Sequence, residues 1–384
     1  MTAPEVAFRP EHHELRGVVR SFLATHSPET EVRKAMETPT GFDRGLWLRM
    51  SGELGLAGLA VPEQYGGAGA GPIELGLVAE ELGRALACSP FLSSAVLAVE
   101  ALVAAGDGDA CSRYLPAIAA GTCVATLAIA ESDGRWDPTR TSVEARWDAD
   151  AWRLVGTRMF VTDGAHADLL LLTARTPDGV ALFTVDPTDT TVTRTALAGV
   201  DRTRRQARID LDGSPARMLA DHTSAIGAVA RAWDVGCAVL AAEQVGAARR
   251  VLDVAVEHAC ARVQFGRPIG SFQAVKHKLA EMLIEVESAR SAAYRAMWTA
   301  ADPRLDLAPV AALAQAYCSD AFAHVAAESI QVYGGVGFTW EHQAHLYLKR
   351  ALGDRQLLGD PRHHRERIAE LLDREWRERP SPAA

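Results

Sequence analysis

Apolar residues recur at three- and four-residue steps through the first third of the chain. From Glu11 to Ala24, Leu15, Val18, Val19, Phe22 and Leu23 share one face, which predicts an amphipathic helix. Trp47, Met50, Leu54 and Leu56 mark a second, shorter face. The stretch Pro62-Glu63-Gln64-Tyr65-Gly66-Gly67-Ala68-Gly69 breaks the pattern, as proline and clustered glycine must. Helical spacing resumes from Pro72 to Leu86 and again from Ser93 to Ala105.

The texture changes near residue 123. Val143, Ala145 and Trp147 alternate with polar residues, and Trp152, Leu154 and Gly156 do so after the Asp148-Ala149-Asp150 turn. Leu169 to Leu172 and Val180 to Val185 are short apolar runs, bounded by Pro177-Asp178-Gly179 and Asp186-Pro187. These read as strands of a small antiparallel β-domain. From Ser224 the long periods return. Val275, Leu279, Met282, Leu283 and Val286 define one helix, and Pro309 to Gln331 another, ended by Gly334-Gly335. No heptad is sustained and no internal repeat is found. The tail from Arg379, with Pro380 and Pro382, is expected to be disordered.

The expected class is therefore α+β with segregated elements. An N-terminal helical domain spans 1–122, a middle antiparallel β-domain 123–222, and a C-terminal helical bundle 223–384.

Composition narrows the functional classes. A net charge of -9 argues against a nucleic-acid surface. No apolar run is long enough to span a bilayer, and the N-terminal stretch has no apolar leader segment. The six cysteines form no C-x-x-C pair, which argues against a zinc or redox site. A reduced, cytoplasmic setting is the expectation. His342, His345, His363 and His364 lack the spacing of a helical zinc pair, so no metal is expected. No Gly-x-Ser-x-Gly elbow is present.

Two motifs carry a resemblance. The first is Arg262-Val263-Gln264-Phe265-Gly266-Arg267-Pro268-Ile269 with Gln273, and the second is Gln331-Val332-Tyr333-Gly334-Gly335-Val336-Gly337-Phe338. Together they resemble the C-terminal flavin-binding signature of the acyl-CoA dehydrogenases. Pro62 to Gly67 with Glu80-Glu81-Leu82-Gly83-Arg84 is similar to the family's N-terminal signature, and Trp152 to Thr162 to its middle one. The resemblance covers nearly the whole chain. It implies the acyl-CoA dehydrogenase fold, with N-terminal helices, a middle β-domain and a C-terminal four-helix bundle.

The resemblance also implies FAD, held between the β-domain and the bundle. In that family a glutamate removes the α-proton of an acyl-CoA thioester and the β-hydride passes to the flavin. Phe160, Val161 and Thr162 match the segment that packs on the flavin ring. Arg262, Gln264, Phe265, Gln331, Gly334 and Gly335 match the segments that grip the ADP half of a neighbouring protomer's flavin. Arginine suits phosphate because its planar fork stays charged, and paired glycines admit close backbone approach. The implied partners are an acyl-CoA thioester, a homologous subunit in a dimer or tetramer, and electron-transfer flavoprotein or a similar acceptor.

Two departures matter. The family's Thr-Glu-Pro and Gly-Ser-Asp turn is replaced by Ala130-Glu131-Ser132-Asp133-Gly134-Arg135-Trp136, where Ala130 has no hydroxyl to donate. The position of the catalytic glutamate, counted from Gly334-Gly335, falls on Leu358-Gly359. The family's alternative base position, counted back from Arg262, falls on Gly236. Glu243, two turns further along the same helix, and Asp234 are the nearest carboxylates, and both read as structural. The catalytic residue is thus unknown from sequence. Three readings follow: a subunit completing the FAD site of a base-bearing partner, a homomeric dehydrogenase with a relocated base, or a non-redox acyl-CoA-binding or scaffolding relative.

Overall fold

A computed structural model describes residues 8–148 and 150–378; the tail from Arg379 lies outside the described residues. Six helices open the chain: α1 (Pro10–His26), α2 (Glu29–Glu37), α3 (Arg44–Leu54), α4 (Pro72–Arg84), α5 (Val99–Ala105) and α6 (Gly108–Ala119). Local chemistry fixes their ends. Asp43 Oδ1 accepts from the Gly45 and Leu46 amides at 2.7 and 3.1 Å and so caps α3. Glu74 reaches back 2.9 Å to the Gly71 amide at the start of α4, where Pro72 costs no hydrogen bond. The segment expected as a helix from Ser93 begins as a π-helical stretch, Phe91–Ala98, buried on every side, and continues as α5.

The strands are β1 (Ala125–Ala128), β2 (Glu144–Asp148), β3 (Ala151–Thr162), β4 (Leu169–Thr176), β5 (Gly179–Val185), β6 (Val192–Ala196) and β7 (Gln206–Ala220). The middle domain is not purely antiparallel, which corrects the sequence expectation. β1 runs parallel to β4, and β2 meets β4 in parallel at Glu144 and Arg175. All four residues of β1 are buried, so it carries no alternation by which to be recognised. The pairings β4–β2, β2–β3, β3–β7, β7–β5 and β5–β4 close the sheet on itself. Leu154, Leu172, Phe183 and Ile209 fill its interior. Trp147 does not point inward as its alternation suggested. It is 61% exposed and leans edge-on against Trp152.

The remainder is helical: α7 (Ala225–Ala261), α8 (Gln273–Ala301), α9 (Ala308–Tyr333), α10 (Ala344–Asp354) and α11 (Pro361–Glu378). Between α7 and α8 lies a small hairpin, β8 (Val263–Gln264) and β9 (Arg267–Pro268). α7 is long and apolar enough to cross a membrane by composition, but it is a core helix packed by α4, α8 and α9. Its contact with α4 is backbone to backbone. A Cβ on Gly83 would stand 2.0 Å from the Glu243 carbonyl oxygen, and one on Gly246 would stand 1.8 Å from that of Glu80. This reciprocal pair sets how closely α7 approaches α4.

Candidate functional site

The segment expected to meet the flavin ring ends β3. A register shift between Arg158 and Val161 forms a bulge there, and Phe160 adopts a φ of 53°. The bulge turns Phe160 off the sheet. Its ring lines a cavity of about 210 Å³ with Leu197, Arg204, Leu352 and Leu357, between the β-domain and the bundle. That is below the roughly 300–1,000 Å³ typical of small-molecule sites. Val161 packs into the barrel core, so only its backbone is available to a ligand. Thr162 is buried, and its carbonyl accepts from the Thr126 hydroxyl at 2.7 Å.

The departures at 130–136 are structural as well as chemical. Glu131 turns inward and pairs with Arg158, which is wholly buried and also donates to the Ile129 and Thr173 carbonyls at 3.0 and 2.6 Å. The retained glutamate therefore serves the barrel. Glu131 and Arg135 close their own tight turn at 3.0 Å, and Ser132 is exposed.

The two candidate base positions meet. A Cβ added to Gly236 would lie 2.4 Å from Cδ2 of Leu97 and 3.2 Å from Cδ1 of Leu358. Leu358 is fully buried in the left-handed region at φ 60°. Its carbonyl is held by Trp233 Nε1 at 2.8 Å and by His364 Nε2 at 3.0 Å. Burial drives the His364 pKa down to about 3, so its ring is neutral. The turn thus aims a side chain at the Gly236 position, and that side chain is an alkyl group.

Neither nearby carboxylate is free to act as a base. Glu243 accepts from Arg204 Nη2 at 2.7 and 2.6 Å and from Arg350 Nη1 at 2.6 Å. Burial works to raise its pKa, but the two guanidinium groups hold it below the ordinary value. Asp234 pairs with Arg367 at 2.6 Å, and burial nonetheless raises its pKa.

Sequence reasoning missed the cluster around Glu243. Arg350 also binds Asp201 at 3.0 Å, and Arg204 binds Asp354 at 2.5 Å. Three carboxylates thus share two guanidinium groups in the interior. Burial, then the neighbouring Glu243 and Asp201 charges, push Asp354 up to about 7 against the pull of Arg204 and Arg350. The cluster ties the β6–β7 connection to α7 and α10. Asp163, which follows Thr162, accepts from the Ser93 hydroxyl at 2.5 Å, and burial raises it to about 6. Arg350 and Asp354, four apart in an apolar helix, were the available signal.

The residues expected to meet ADP come together at one end of the bundle. Arg262 caps α7 and is exposed. Phe265 (φ 52°) and Gly266 (φ 76°) form the tip of the β8–β9 hairpin, and Phe265 is 91% exposed. Gln264 is exposed beside it. Gln331, near the end of α9, is also exposed, and Gly334 and Gly335 follow. The two segments are joined by a tilted ring contact of His258 with Tyr333, with centroids 4.6 Å apart. Gly334 needs glycine for its φ of 65°. Gly335 has no such backbone reason, and a Cβ there would meet nothing within 4 Å. Among the described residues, nothing requires that side chain to be absent.

Residues 9–122 match the family "Acyl-CoA dehydrogenase, N-terminal domain" and residues 226–372 "Acyl-CoA dehydrogenase, C-terminal domain". Acyl-CoA dehydrogenase IpdE2 of Mycolicibacterium smegmatis is 34% identical over 358 residues, covering 93% of this chain and 97% of the relative. IpdE2 of Mycobacterium tuberculosis is 35% identical over 369 residues, covering 96% and 98%. Among solved structures, the ChsE4-ChsE5 complex from Mycobacterium tuberculosis is similar with a TM-score of 0.88 and 30% identity, covering 98% of this chain and 100% of the matched one. A variant of the Tcur3481-Tcur3483 steroid ACAD gives 0.87 and 30%, covering 96% and 99%. Family matches to both helical regions and relatives spanning nearly the full length lead to one conclusion: the chain belongs to the acyl-CoA dehydrogenase family.

Proposed function

We propose that this chain is the base-lacking subunit of a heteromeric, flavin-dependent acyl-CoA dehydrogenase, completing the FAD site of a base-bearing homologous partner. One observation carries the reading. The two positions expected to carry the base, Gly236 and Leu358, meet in an apolar contact, while the segments expected to grip ADP lie together and exposed.

FAD is the family's cofactor, and when bound it supplies the acceptor for two electrons. The residues present fit one half of it. Arg262 would pair with the pyrophosphate, Phe265 and Gln331 would flank the adenosine end, and Gly334 and Gly335 would admit it closely. The ring half does not fit. Ala130 offers no hydroxyl, and Glu131 is taken by Arg158. A partner that keeps its ring half and its glutamate would supply what is missing. The electrons would then leave to electron-transfer flavoprotein or a similar acceptor.

The likeness to a two-chain complex, ChsE4-ChsE5, supports the heteromeric reading. The likeness to a steroid ACAD favours a bulky, ring-bearing acyl group on the thioester. A homomer using Glu243 is disfavoured, because a carboxylate bound by two arginines has little proton affinity to offer.

Reconstitution tests the proposal. The chain is mixed with a base-bearing homologue encoded beside it, and acyl-CoA-dependent dye reduction is measured. Activity should require both chains. Turnover by this chain alone, or none in any mixture, contradicts the reading.

A further inference from the structure

We infer that a second cavity, apart from the flavin and base positions, binds an amphipathic organic carboxylate. It lies where α1, α2, the end of α4, α7 and α10 meet, and it encloses about 350 Å³. That falls within the range of small-molecule sites. Nothing in the proposed FAD chemistry uses it.

Its walls divide by chemistry. Leu23, Val32, Leu86 and Leu346 form the apolar side. The polar side holds three groups with unmet hydrogen-bonding capacity. The half-buried Arg250 guanidinium makes no hydrogen bond or ion pair among the described residues, nor does the Gln343 amide or the Ser27 hydroxyl.

The other charges in the wall are already neutralised. Arg20 binds Glu81 through two bonds of 2.8 and 2.6 Å. Arg84 pairs with Asp253 at 3.0 Å, and Glu29 pairs with Arg33 at 2.7 Å. One positive charge is left over, that of Arg250, facing the cavity.

A guanidinium with an amide and a hydroxyl is a donor set for a carboxylate head. The opposing leucines and valine would cover an alkyl or ring body. A free inorganic anion satisfies only the first half of that match. A neutral apolar ligand leaves Arg250 unpaired, which is costly in a partly desolvated site. The geometry therefore selects a molecule with both parts: an organic acid of medium chain length or with a small ring.

The probe is octanoate, titrated into the full chain and into its complex with a partner by calorimetry. Acetate and inorganic phosphate are the comparison ligands. Saturable one-to-one binding of octanoate is expected, at least tenfold tighter than acetate or phosphate. Arg250→Gln should weaken it about ten- to hundredfold, the loss of one charge-assisted contact. Ala24→Trp, a substitution at the exposed rim, should block it while leaving the thermal unfolding profile intact. The inference is overturned if octanoate does not bind saturably. It is equally overturned if phosphate binds as tightly, or if both variants bind as wild type does. Arg250 and Ala24 lie outside the proposed FAD contacts, so FAD retention in the same variants reports separately on the subunit proposal.

Discussion

A Cβ placed on Gly236 would fall 3.2 Å from Cδ1 of Leu358. The two residues are 122 apart in sequence, yet they occupy the two sides of one slot, with Leu97 closing it. A carboxylate on either side would point at the same point in space. Here both sides are apolar, so the slot is plugged. Leu358→Glu should therefore destabilise the fold by about 2–5 kcal/mol, through lost packing and a buried acid without a partner. It should not confer turnover on the isolated chain, because Ala130 still offers no hydroxyl and Glu131 is still held by Arg158. Urea unfolding and an acyl-CoA assay on the same preparation check both halves.

Arg262→Ala should leave the fold unchanged, since Arg262 is exposed and makes no ion pair among the described residues. In the assembled complex it should weaken FAD retention by about 1.5–3 kcal/mol, roughly ten- to hundredfold. Flavin released on serial dilution is the readout. Retention equal to wild type would remove Arg262 from the cofactor contacts.

Glu243→Gln distinguishes a clamp from a base. As the shared acceptor of Arg204 and Arg350, its loss leaves two buried guanidinium groups undercompensated. The expected cost is about 3–5 kcal/mol of stability. Were Glu243 a hidden base, the same change would abolish turnover with little effect on unfolding.

The shared carboxylates also predict a pH dependence. Asp354 holds its proton to about pH 7 in the folded chain, against about 3.9 when unfolded. Between those values the folded state binds more protons, so stability falls as pH rises from about 4 to about 7. Above that the contribution is constant. Asp163, raised to about 6, adds to the fall over the lower part of the range. Asp354→Asn, which is neutral at every pH, should flatten the slope between about pH 6 and pH 7. A slope unchanged by that substitution would assign the proton elsewhere.

Much of this was legible in the chain. Helices α1, α4 and α9 carry regular apolar spacing, and their observed limits lie within a few residues of the pattern; α8 starts where its pattern does but runs on to Ala301, well past Val286. Counting from Gly334-Gly335 and from Arg262 located Leu358 and Gly236 separately. That they touch could be learned only from the fold. β1 was invisible because a wholly buried strand does not alternate, and with it went the parallel pairing. Trp147 misled because an exposed aromatic can satisfy itself on a neighbouring ring. The arginine–carboxylate cluster joins Arg204, Glu243, Arg350 and Asp354 from three separate segments. Glu243 reads as structural and Arg350 with Asp354 hints at burial, but only their convergence in the interior reveals the clamp.

In the proposed subunit role this chain holds half of a flavin site and no base. Flavin content and acyl-CoA bleaching, measured on the isolated chain and on its complex with a base-bearing homologue, test it most directly. The isolated chain should be colourless. The complex should be yellow, with about one FAD for every two chains, as two-fold symmetry of unlike pairs requires, and bleached by substrate. An isolated chain that carries one FAD per protomer and bleaches with acyl-CoA would contradict it.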